Sequence, residues 1–99
     1  MTLFGKMWHI KYFNSKGLKK DQQKLRKNKS MAQKIKKYLE KISLNPLSEQ
    51  INIRKIKPKS SQRYRLKIDD WQIIFSLDFG NHIILIYRIA PRGDVYEKL

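Results

Sequence analysis

The 99-residue chain contains no cysteine, which excludes a disulfide scaffold and any thiolate metal site. Its only histidines are His9 and His82, and its eight acidic residues are scattered, so the ligand set of a metal-dependent hydrolase is not visible. No apolar run approaches the roughly 20 residues that cross a bilayer. The opening MTLFGKMWHI is too short and too interrupted for a secretory leader. The expectation is a cytoplasmic protein with no metal, no cofactor and no membrane association.

Carboxylates are few against what opposes them. Lysine and arginine number 23, giving a formal net charge of +15. Repulsion of that size lowers stability, so a polyanionic partner is the natural reason for it, nucleic acid first and a membrane surface second. Hydrophobic residues make up 40% and aromatics 11%, which argues for a folded domain and against a disordered basic tail. A chain of this length builds one modest core, so a single domain is expected over 1–99.

Hydropathy patterning orders the elements. Residues 6–13, KMWHIKYF, alternate weakly and are aromatic-rich, as in a first strand. A break at 14–17 precedes a polar helix over 18–28 with Leu18, Gln22 and Leu25 on a narrow stripe. The segment 30–46, SMAQKIKKYLEKISLNP, is the clearest helix. Ser30 with Gln33 reads as a capping box, Met31, Ile35, Tyr38, Leu39 and Ile42 as one apolar face, and Asn45-Pro46 as the stop. A basic connector over 47–61, with Lys55 and Lys57, leads to strands at 62–68, 71–78 and 82–89. The fold expected is α+β, with two helices on one face of a mostly antiparallel four-stranded sheet in the order β-α-α-β-β-β.

Register arguments divide the strands into two faces. A two-residue turn at Asp69-Asp70 pairs Ile68 with Trp71, Leu66 with Ile73 and Tyr64 with Phe75, and places Lys67 opposite Gln72. A three-residue turn at 79–81 is expected next, because a two-residue Gly80-Asn81 turn would drive Arg88 into the helix-covered core. That choice puts Tyr87 with the core set and Arg88 opposite Gln72. The second face then carries Arg63, Arg65, Lys67, Gln72, Ser76 and Arg88 over an aliphatic floor of Ile74, Ile84 and Ile86. A solvated antiparallel face is normally mixed in sign, whereas this one is cationic, an anion-binding surface.

The hairpin RYRLKIDDWQIIFSLD and the closing HIILIYRIAPRGDVY resemble the RelE/ParE superfamily of toxins from bacterial toxin–antitoxin pairs. The order of elements extends the resemblance over nearly the whole chain. It implies a RelE/ParE-like fold and an acidic antitoxin as partner. Its RelE-like branch implies a ribosome-dependent endoribonuclease that cuts mRNA without a metal, with ribosome, rRNA and mRNA as further partners. Its ParE-like branch implies a gyrase inhibitor that cuts nothing. By motif position the catalytic residues of the first branch fall on Arg63, Arg65, Arg92 and Tyr96. Gln72 stands where the family usually has arginine, and Pro91 where many members have histidine.

Arg88, opposite Gln72 in the expected register, is assigned the cation missing there, with pairing to Asp78, Asp70 or an antitoxin carboxylate as the alternative. Lys55, Lys57, Lys67, Gln72, Lys34 and Lys37 are assigned to RNA contact, the helical lysines tracking rRNA backbone. A plain nucleic-acid-binding module is a third reading. It is poorly supported, because no aromatic stacking platform is expected among the cations.

Overall fold

The computed structural model describes residues 7–47, 53–56 and 63–91. Strand β1 (His9–Tyr12) leads into helix α1 (Lys16–Arg26) and helix α2 (Lys29–Leu44). Four strands follow: β2 (Ile53–Ile56), β3 (Arg63–Ile68), β4 (Trp71–Asp78) and β5 (Ile83–Pro91). They form one sheet in the order β1-β5-β4-β3-β2, antiparallel except for the β1–β5 pair. The α+β class and the two-helix layer are as expected. The sheet has five strands instead of four, because residues 53–56 of the basic connector pair with β3 as an edge strand.

Helix starts follow capping chemistry. Ser15 accepts the Leu18 N–H at 3.1 Å and opens α1. Asn28, not Ser30, caps α2 by accepting the Met31 N–H at 3.1 Å. Either residue type caps well; here Asn28 is also fixed by its own N–H to the Leu25 carbonyl at 2.9 Å, at the end of α1. The stop is where the proline requires it, with Asn45 extended at φ −154° and ψ 93°.

Met31, Ile35 and Ile42 of α2 and Leu18 of α1 pack on Tyr64, Leu66, Ile68, Trp71, Ile73 and Phe75, while Tyr38 and Leu39 flank them. Each fully buried aliphatic side chain there contributes about 1.5–3 kcal/mol. The β3–β4 ladder holds the expected register throughout, from Ile68 opposite Trp71 to Arg63 opposite Ser76. Asp69 adopts φ 52° in the turn, a left-handed conformation that aspartate tolerates.

The β4–β5 ladder differs. The loop is four residues long, closed by Asp78 opposite Ile83, and this parity sends Ile84 and Ile86 into the helix-covered core. A one-residue bulge at Tyr87 of β5, opposite the step from Ile74 to Phe75 of β4, then shifts the register by one, so that Ile73 meets Ile89 and Gln72 meets Ala90. Arg88 is therefore opposite Ile74, and the floor expected from Ile74, Ile84 and Ile86 reduces to Ile74. The unfavourable burial of Arg88 that argued against this parity is avoided by the bulge and by a partner on α1.

Candidate nucleic-acid interface

The side chains of β3 alternate cleanly: Tyr64, Leu66 and Ile68 are buried under the helices, while Arg63, Arg65 and Lys67 emerge on the second face. Residues two apart on a strand are about 6.6–7 Å apart, close to the spacing of successive phosphates on an extended single strand. Edge strand β2 widens the row. Exposed Arg54 lies directly opposite Arg65 in the ladder. Like charges in that position destabilise a sheet unless an anion lies between them. Sequence reading passed over Arg54 because the connector offered too little alternation to set its face.

Beside this row, the guanidinium carbon of Arg63 sits 4.1 Å from the centre of the Tyr87 ring. Ser76 donates to the Tyr87 hydroxyl at 3.2 Å, and the Phe13 ring lies 5.2 Å from that of Tyr87. Tyr87, expected in the main core, is instead on the cationic face, packed on buried Ile74 and Ala90. The parity set by the four-residue loop, which turns Ile86 to the core, places it there. Aromatic side chains thus stand among the cations after all.

Gln72 keeps its expected place opposite Lys67 but is 2% exposed, not part of an open surface. Its Oε1 has no hydrogen-bond partner among the described residues. Arg88 leaves the cationic row altogether: its Nε and Nη2 donate to the two carboxylate oxygens of Asp21 at 2.7 and 2.9 Å. Asp21, 4% exposed, also accepts the Ile89 N–H at 3.0 Å. None of the carboxylates considered as alternatives for Arg88 is the one that holds it; the sequence signal for Asp21 is its place three residues after Leu18 and four before Leu25, on the apolar stripe of α1.

The helical lysines are not brought to this face. Lys34 and Lys37 project from α2, which covers the opposite side of the sheet, and Lys34 bonds Asp69 in the β3–β4 turn at 2.6 Å. That carboxylate raises the Lys34 pKa through the hydrogen bond and its charge. Lys55 pairs in the ladder with Tyr64. Lys57, Arg92 and Tyr96 lie outside the described residues. His82 stacks on Trp8 with ring centres 4.8 Å apart, at the β4–β5 loop. Among the described residues no three histidine or acidic side chains converge as a metal site, and no helix is long and apolar enough to cross a membrane.

This architecture is shared with solved toxins. It matches the archaeal RelE–RelB complex from Pyrococcus horikoshii OT3 with a TM-score of 0.70 at 21% identity, covering 88% of this chain and 97% of that one. A metal-bound toxin from Helicobacter pylori matches with a TM-score of 0.72 at 16% identity, covering 90% and 99%. At such identities the likeness shows the fold. No curated protein sequence matches. A family model described as the ParE toxin of type II toxin–antitoxin systems matches residues 13–96. With a match of that extent, the chain belongs to the ParE toxin family of type II toxin–antitoxin systems.

Proposed function

We propose that this toxin arrests translation as a metal-independent, ribosome-dependent endoribonuclease, gripping mRNA on the cationic face of its sheet. The observation that carries this reading is the row Arg63, Arg65 and Lys67 with Arg54 across from Arg65. A polyphosphate chain is the ligand such a row accommodates, through charge-assisted bonds to its oxygens.

The reaction is transfer of a phosphodiester to the neighbouring 2′ oxygen. A base removes the 2′-OH proton, the oxygen attacks phosphorus, cations stabilise the dianionic phosphorane, and an acid protonates the departing 5′ oxygen. Arg63 and Arg65 supply the stabilising charge. Arg92 and Tyr96, in the terminal R-x-D-V-Y run, complete the set by the resemblance to RelE-like toxins, Tyr96 as proton donor. The ribosome supplies orientation, which by itself can remove much of the barrier. Arg88 has no part in this chemistry; its guanidinium braces β5 against α1.

In the absence of its target the same face would be covered by the acidic segment of an antitoxin, for which the net charge of +15 is complementary.

A second reading is favoured by two particular observations. Buried Gln72 replaces the arginine the resemblance implies, and Arg88 is held by Asp21. Both remove cations from the phosphate site, as in a ParE-like gyrase inhibitor without nuclease activity. In vitro translation followed by primer extension separates the two. Discrete cuts in ribosome-bound mRNA mark the nuclease, and intact mRNA with inhibited gyrase supercoiling marks the inhibitor.

A further inference from the structure

We infer that Phe13, backed by Tyr87 whose ring in turn carries the Arg63 guanidinium, forms a stacking platform for an unpaired base of single-stranded RNA. The inference rests on the RNA-binding reading above and adds to it a contact with the base itself.

Phe13 is 47% exposed, yet it is held in place: its N–H donates to the Ile86 carbonyl at 2.8 Å, continuing the β1–β5 ladder. Its ring leans on Tyr87 at 46° between planes, and Tyr87 is fixed in turn by Ser76 and by the Arg63 guanidinium. A large apolar ring kept in water by a rigid support is a contact surface without its partner. Charge complementarity identifies that partner. The platform adjoins a row of cations on a chain of net charge +15, so its occupant is a polyanion that also carries planar rings. Single-stranded nucleic acid combines the two, its bases stacking on aromatic and guanidinium planes while its phosphates meet basic side chains.

Stacking and phosphate contact leave different marks on binding. Affinity is read by fluorescence anisotropy for a labelled single-stranded RNA oligonucleotide and for one of equal length whose sugars lack bases. Phe13→Ala is expected to weaken binding of the intact RNA about 5- to 150-fold, the loss associated with one stacked base. The abasic strand should bind the variant as it binds wild type, and the dependence on salt should not change. Phe13→Trp should retain affinity. Because Phe13 is half exposed, Phe13→Ala should melt with the wild-type protein.

Wild-type affinity in Phe13→Ala, or equal losses on the intact and abasic strands, overturns the inference. So does a loss confined to capture of the co-expressed antitoxin. If wild type binds neither strand, the RNA reading and this inference fall together. If base-dependent binding is present but mRNA is never cut, only the nuclease reading fails.

Discussion

The guanidinium of Arg88 and the carboxylate of Asp21 meet in a two-pronged ion pair at 2.7 and 2.9 Å, joining β5 to α1 across 67 residues of sequence. Asp21 also takes the Ile89 N–H, beyond the point where β1 stops pairing with β5. A buried carboxylate with three donors is fully compensated, and removing one partner leaves the other charge buried. Arg88→Ala should therefore cost about 3–5 kcal/mol of unfolding free energy by urea titration. The Asp21→Ala, Arg88→Ala double variant should lose less than the sum of the two single losses. Arg88→Lys should fall between, since a lysine cannot form both bonds at once.

The phosphate row makes a different kind of prediction. Neutralising Arg54, Arg65 or Lys67 one at a time with glutamine should reduce affinity for all RNA sequences alike. Each replacement should lower the salt dependence of binding by about one phosphate contact. Lys37→Gln, on the helix layer, should leave that slope unchanged.

Gln72 offers a test of what its position demands. The Gln72 Oε1 has no partner among the described residues, and a buried acceptor in that state costs about 1–3 kcal/mol, so Gln72→Leu should leave stability unchanged or raise it in thermal melts. Gln72→Arg, which restores the cation implied by the family resemblance, places a charge at a site that is 2% exposed and should lower the melting temperature.

Asp78 closes the β4–β5 loop by accepting the Asn81 N–H at 3.1 Å and a side-chain N–H of Asn81 at 2.9 Å. The Asn81 bonds hold its pKa below the usual carboxylate range. Its contribution to stability is thus present above the unfolded-state pKa and lost as pH falls through the lower folded value. Lys34, with its pKa raised by Asp69, behaves in the opposite sense: its contribution is present below the ordinary lysine pKa and lost as pH rises through the raised one. An NMR titration of the Asn81 amide should show the first transition in acid, and Asp78→Asn should abolish it.

The hairpin from Arg63 to Asp78 was legible in full, because alternation on both sides of a two-residue turn leaves one register that buries the apolar set. The α2 stripe was legible for the same reason at helical period. The last strand was not. In HIILIYRIA nearly every position is apolar, so both parities place hydrophobic residues inward and only Arg88 decides between them. Counting Arg88 as unpaired gave the wrong parity. Its partner, Asp21, lies far away in sequence, and a one-residue bulge carries no sequence signal in so uniform a strand. The parity of the four-residue loop also brought Tyr87 to the cationic face, which is why the aromatic platform was missed while Arg63, Arg65 and Lys67 were placed correctly.

The most direct test of the account is primer extension on mRNA recovered from an in vitro translation reaction, comparing wild-type toxin with Arg65→Gln. The account predicts discrete cuts in ribosome-engaged mRNA with wild type, absent without ribosomes and strongly reduced in the variant. Intact mRNA at toxin concentrations that block gyrase supercoiling would contradict it.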